Sequence, residues 1–195
     1  FIKHGADDFL RKPFCPEELN CRVMSTLERR DLLRALKKAA QFDALTGLNN
    51  RRAFYEQGMQ ILQKAQRENR QVSVAMLDLD HFKQINDGFG HASGDSALVV
   101  FARAISNACP DMLLGRLGGE EFALLTLHGA DHVAQALDKL RRQCAGLHYA
   151  VGAPALSFSA GLYQGEPEDL ESLLHEADIR LYRAKQQGRA RTVLA

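Results

Sequence analysis

The sequence has no surplus of charge. Across 195 residues, 25 lysines and arginines face 24 acids, for a net charge of +1. That balance argues against a dedicated nucleic-acid or membrane surface and leaves only local basic clusters open. Cysteine is scarce and unpatterned: Cys15, Cys21, Cys109 and Cys144 form no CxxC spacing. Neither a zinc site nor a disulfide framework is expected, and the four thiols fit a reducing, cytoplasmic setting. No apolar run approaches the roughly 18 residues that span a bilayer, and no signal peptide opens the chain. An initiator methionine is also missing. Phe1-Ile2-Lys3 leads straight into a strand-like segment, as expected at the edge of a fragment. There are no internal repeats and no low-complexity stretch. What remains is 46% hydrophobic and 25% charged, ordinary for a globular protein with a real core.

Asp8-Phe9-Leu10-Arg11 reads as a short strand ended by Lys12-Pro13, since proline cannot donate to a ladder. Pro16 suits the first turn of a helix, with Glu17 and Glu18 near its positive end. Leu19, Val23, Leu27, Leu33, Leu36 and Ala40 then recur at helical spacing among Arg29, Arg30, Asp31, Arg34, Lys37 and Lys38. This predicts an amphipathic helix of about seven turns. It either packs on its own domain or serves as a dimerising stalk, and its length favours the stalk. Asp43-Ala44-Leu45-Thr46-Gly47-Leu48-Asn49-Asn50 is a polar turn cluster that marks a boundary between residues 1–42 and 43–195.

Beyond the boundary a helix is expected over residues 51–67. Val72 to Leu79 is almost continuously apolar until Asp78 and Asp80, the pattern of a strand buried on both faces. A short helical turn from Phe82 to Asn86 and a helix carrying Leu98, Phe101, Ala102 and Ile105 follow. Met112 to Leu117 and Phe122 to Leu127 flank Gly118-Gly119-Glu120-Glu121, which predicts a hairpin. A helix near Asp131 to Cys144, a strand near Leu156 to Tyr163 and a last helix from Leu170 to Ala184 complete an α/β (α+β) pattern. Gly188 is the expected cap of that helix.

Asp78 at a strand end and Glu120 at a hairpin tip would converge beyond the sheet if their strands were neighbours. Carboxylates, a backbone carbonyl and phosphate oxygens suit a hard cation such as magnesium. A lone Asp-x-Asp is more often a pair of turn acids; joined to a Gly-Gly-Glu-Glu hairpin it is harder to dismiss.

At this point the chain resembles a known family. Asp78-Leu79-Asp80-His81-Phe82-Lys83-Gln84-Ile85-Asn86-Asp87, Gly90-His91, Gly94-Asp95 and Gly118-Gly119-Glu120-Glu121-Phe122 resemble the GGDEF diguanylate cyclases. The match reaches back to Asp43-x-Leu45-Thr46-Gly47-Leu48-x-Asn50-Arg51-Arg52. It runs forward through Ala177-Asp178, Leu181-Tyr182, Ala184-Lys185 and Gly188-Arg189, about three quarters of the chain. The resemblance implies a central antiparallel-rich sheet flanked by helices, related to polymerase palms and nucleotidyl cyclases. It also implies condensation of two GTP into cyclic di-GMP with magnesium or manganese, by two domains facing each other in a homodimer.

Residue by residue, the resemblance implies metal ligation by Asp78, Glu120 and the Leu79 carbonyl, with Glu121 in a supporting or metal-binding role. Gly118 and Gly119 would let the nucleotide approach the hairpin. Lys83, backbone N–H groups near Phe82, Lys185 and Arg189 would hold phosphates. For Lys185 and Arg189 a basic helix end that complements the dipole is the plainer alternative. Asn86 and Asp95 would read the base, because a carboxylate accepts from both N1–H and the exocyclic amine of guanine, a donor pair adenine lacks. His81 and His91 are expected in packing or loop hydrogen bonds.

One block departs from the family pattern. An Arg-x-x-Asp motif that binds inhibitory product is expected shortly before the hairpin, yet those positions hold Cys109 and Met112. Asp111 is one residue out of step and has Ala108 three residues before it, so no inhibitory product site is expected. Upstream, Gly5-Ala6-Asp7-Asp8-Phe9-Leu10-x-Lys12-Pro13-Phe14 with Glu17-Glu18-Leu19 is similar to the tail of a response-regulator receiver domain. That implies an upstream sensor kinase for the full-length protein. The rival readings are a catalytically silent GTP-binding or interaction module, and a cyclase that makes adenine or mixed dinucleotides.

Overall fold

The computed structural model describes residues 8–10 and 12–194. The chain divides after Gln41 into two units. In the first, no strand forms at Asp8–Leu10, while Gly5–Asp7 and Arg11 lie outside the described residues. A strand needs a ladder partner, and every paired strand of the described chain lies beyond Phe42. The long helix is as expected: α1 runs Pro16–Gln41, 26 residues, with Glu17 and Glu18 in its first turn. Arg22 reaches Asp8 at 3.1 Å and Glu18 at 3.3 Å. Its apolar stripe stays open to solvent, from 39% exposure at Leu19 to 59% at Leu33. Among the described residues, no helix is long and apolar enough to cross a membrane.

The second unit is built on six strands: β1 (Asn49–Asn50), β2 (Val72–Leu79), β3 (Leu113–Gly118), β4 (Glu121–Thr126), β5 (Phe158–Gly165) and β6 (Thr192–Leu194). Their order is β1-β3-β4-β2-β5-β6. The four central strands pair antiparallel and the two short edge strands pair parallel, giving the expected antiparallel-rich sheet. Five helices cover it: α2 (Arg51–Glu68), α3 (Phe82–Phe89), α4 (His91–Ala108), α5 (Ala130–Cys144) and α6 (Leu170–Gln186).

β2 lies at the centre and is buried along its whole length. Its side chains alternate between two cores, as the period of a strand requires. Ala75, Leu77 and Leu79 join Phe101, Phe122, Leu137 and Phe158 on the α4–α5 side. Val72, Val74 and Met76 join Phe54, Leu125, Leu173 and Leu181 on the α2–α6 side. Phe101 and Phe122 meet edge to face at 4.9 Å between centroids, and removing such a buried ring costs about 3–5 kcal/mol.

α6 can lie close on β5 because Gly161 has no side chain. A Cβ there would overlap the α6 backbone at Ala177 and Leu181. The helix begins at Asp169, whose carboxylate accepts from the Ser172 amide at 2.9 Å, and Gln187 rather than Gly188 is its last capping residue. Likewise, Asn50 caps α2 by accepting from the Ala53 amide at 2.9 Å, a contact worth about 1 kcal/mol.

Candidate active site

Asp78 closes β2. It stands opposite Glu121 on β4 and opposite Ser159 on β5. The β3–β4 hairpin turns through Gly119 and Glu120, with Gly118 paired to Glu121. Gly119 has φ +48, a left-handed conformation that glycine adopts freely. The Glu120 carbonyl accepts from the Leu79 amide at 3.4 Å. The two acids expected to be neighbours therefore sit side by side at one end of the sheet, although Glu121 rather than Glu120 is in direct register with Asp78. A Cβ on Gly118 or Gly119 would meet only open space, so this face of the hairpin is bare backbone.

Asp78 belongs to the set of β2 residues that faces α6, and Lys185 in the last turn of that helix reaches it. The ammonium lies 2.8 Å from Asp78 Oδ2. Burial pushes the Asp78 carboxyl above the usual range, Lys185 pulls it back, and repulsion from Glu120 and Glu121 adds to the rise. Two further acids beside a buried carboxylate call for positive charge. Lys185 supplies it. Among the described residues, no three acid, histidine or cysteine side chains form a ready-made metal cage. Two carboxylates and a carbonyl nevertheless fit magnesium, which keeps waters and uses substrate phosphates as ligands.

Directly after β2, His81 takes a left-handed turn (φ 59) and α3 begins at Phe82 without a side-chain cap. The first amides of a helix have no intrahelical acceptor and favour anions. Lys83 is exposed beside them. Asn86, on the same helix, lies against Gly94 of α4, where a Cβ would overlap its carboxamide oxygen. Asp95, the next residue on α4, is exposed. His81 and His91 are both exposed, so the packing role expected for them is not seen. Arg189 follows α6 and Gly188, exposed, at φ 61.

Two residues escaped the sequence reading. Arg116 on β3 bridges Asp43 Oδ1 at 3.0 Å and the Gly119 carbonyl at 2.9 Å, tying the boundary turn to the hairpin. Burial would raise the Asp43 carboxyl, but the Thr46 hydroxyl and amide, and then Arg116, hold it below its ordinary value. Asp80 is buried and accepts from Ser157, Ser159 and Ala190. Its only signal in the sequence was the Asp-x-Asp spacing. At the positions of the absent inhibitory motif, Cys109 is buried, and burial pushes its thiol up to about 11. Met112 and Asp111 line a groove of about 560 Å³ shared with Phe42, Asn49 and Lys64.

The family model for the diguanylate cyclase GGDEF domain matches residues 40–191. Diguanylate cyclase VdcA of Vibrio cholerae is 35% identical over 189 residues, covering 92% of this chain and 54% of that protein. Response regulator PleD of Caulobacter vibrioides is 34% identical over 205 residues, covering 96% of this chain and 45% of that protein. The chain thus spans about half the length of these relatives. Among solved structures, the coiled coil and GGDEF domain of DgcB from Caulobacter crescentus, in complex with cyclic di-GMP, superposes with a TM-score of 0.82 at 30% identity. That match covers 92% of this chain and 98% of that one. Family model, relatives and fold agree, and the chain belongs to the GGDEF family of diguanylate cyclase domains.

Proposed function

We propose that residues 43–195 form a diguanylate cyclase domain that condenses two GTP into cyclic di-GMP and two pyrophosphates. The observation that carries this reading is the meeting of three features at one sheet end: the buried Asp78, the bare Gly118-Gly119-Glu120-Glu121 turn and the cationic end of α6. In each half-reaction the 3′-oxygen of one GTP bonds to the α-phosphorus of the other. The bond to pyrophosphate breaks, and the hydroxyl proton leaves to solvent or a nearby base.

Asp78, Glu120 and the Leu79 carbonyl would hold the divalent cation, with Glu121 beside them. Bound magnesium or manganese neutralises triphosphate charge and lowers the pKa of the attacking hydroxyl. Lys185 and Arg189, at the cationic end of α6, would hold phosphates. The uncapped amides at Phe82 and the Lys83 side chain suit the same polyanion. Asn86 and Asp95 would read the guanine edge, and the packing of the Asn86 carboxamide against Gly94, the neighbour of Asp95, supports this. Cys109, buried and neutral, and Met112 offer no charge to a product phosphate, so no inhibitory product site is assigned to that surface.

A product with two equivalent phosphodiester bonds suits two domains about a two-fold axis, hence a homodimer. The exposed apolar stripe of α1 is the means we assign for joining them. The receiver-like residues before α1, supported by the PleD match over 96% of the chain, imply control by an upstream sensor kinase. Incubating the purified chain with GTP and magnesium and identifying the dinucleotide tests the reading. A cyclic product containing only guanine is expected, and intact GTP at micromolar protein concentration would contradict it.

A further inference from the structure

Asp80 stands two residues beyond Asp78 and is 5% exposed. Its Oδ2 accepts from the Ser157 hydroxyl at 2.6 Å and from the Ala190 amide at 3.1 Å. Its Oδ1 accepts from the Ser159 hydroxyl at 2.7 Å. The two serines would satisfy a carboxylate buried for packing alone. The third bond leads elsewhere, to the turn that follows α6.

That turn is costly. Arg189 and Ala190 have φ 61 and 52, two successive L residues in the left-handed region, where Cβ crowds the backbone. Such conformations persist only where their surroundings over-determine them. Four hydrogen bonds hold the turn here. The Arg189 amide donates to the Ala184 carbonyl at 3.0 Å, and the Arg191 carbonyl accepts from the Ala160 amide at 2.9 Å. The Ala190 amide donates to Asp80 and the Arg191 Nε donates to the Arg189 carbonyl at 3.1 Å, both charge-assisted. Of the four, the Asp80 bond is the one that ties the turn to the strand end carrying Asp78. Arg189 therefore leaves the chain from a backbone fixed one turn beyond Lys185, whose ammonium is at Asp78.

We propose that Asp80 is a positioning residue for the nucleotide site: its carboxylate locks the left-handed Arg189–Ala190 turn and so holds the Arg189 guanidinium ready for the phosphates of a nucleoside triphosphate. This rests on the reading of Arg189 as a phosphate contact. The strand end that carries Asp78 then also sets the phosphate grip, through a neighbour that touches neither metal nor nucleotide.

The test is a coupling measurement on the full chain. GTP affinity is read from the GTP-dependent rise in Tm at fixed magnesium, and turnover at saturating GTP from released pyrophosphate. Asp80→Asn removes the charge, and Ala190→Pro removes the amide donor and cannot hold φ 52. Each is expected to weaken GTP about tenfold while leaving saturated turnover within about threefold. Arg189→Ala is expected to cost about the same, and adding either change to it should cost less than about twofold more. Ala190→Pro leaves the buried carboxylate in place, so it reports even where Asp80→Asn does not fold. Unchanged GTP affinity in Ala190→Pro, or losses that multiply fully with Arg189→Ala, would overturn the positioning role while Arg189 remained a phosphate contact. Full GTP affinity in Arg189→Ala would overturn the phosphate reading, and the proposal with it.

Discussion

Asn86 packs where an atom is absent. Gly94 lets the Asn86 carboxamide lie against α4, one residue from Asp95. A carboxylate that accepts two donors from guanine is left unpaired against adenine, and discrimination of that kind reaches orders of magnitude. ATP should therefore be a poor substrate, and Asp95→Ser should narrow the GTP-to-ATP ratio of kcat/KM by about tenfold or more. An unchanged ratio in that variant would remove Asp95 from base recognition. The same scale governs product control. A thiol pushed up to about 11 is neutral at physiological pH, and a thioether carries no charge, so Cys109 and Met112 are not expected to grip cyclic di-GMP. Inhibition by product should be weak and competitive with GTP. Tight binding that survives saturating GTP analogue and disappears on changing Cys109 or Met112 would contradict this.

At the scale of elements, the α6–β5 contact depends on Gly161. Gly161→Ala forces a Cβ into the helix backbone and should destabilise the fold by about 3 kcal/mol. For a domain of this size that lowers Tm by roughly 6–12 °C, measurable by thermal unfolding. A loss under about 2 °C would mean that the helix shifts at little cost. Legibility in the sequence also varied by element. β2 was legible because eight consecutive buried residues leave a continuous apolar signature, and the β3–β4 hairpin because two glycines sit between apolar runs. β1 and β6 were not, since Asn49–Asn50 and Thr192–Leu194 are short edge strands whose parallel pairing is with distant partners. Asp8–Leu10 misled in the opposite direction: an apolar pair before Lys12-Pro13 makes no strand without a ladder. The site's acids were legible as motifs. The Lys185–Asp78 pair, the Arg116 bridge and the Asp80 tether were not, because each joins residues brought together only by the fold.

At the scale of the whole molecule, each domain is read as one half-site, so activity should depend on how often two meet. Specific activity should rise steeply with protein concentration over a dilution series, in step with a monomer–dimer equilibrium seen by sedimentation. A flat profile with monomer throughout would count against the two-domain reading. The central claim is narrower: the acids at the end of β2 and the tip of the hairpin serve GTP condensation. It is tested most directly by following magnesium-dependent conversion of GTP in the parent chain beside Glu120→Ala, with folding of both checked by thermal unfolding. The account predicts one cyclic di-GMP for every two pyrophosphates in the parent, and a loss of about a hundredfold or more in a folded Glu120→Ala. Near-parent cyclisation by that variant would contradict it.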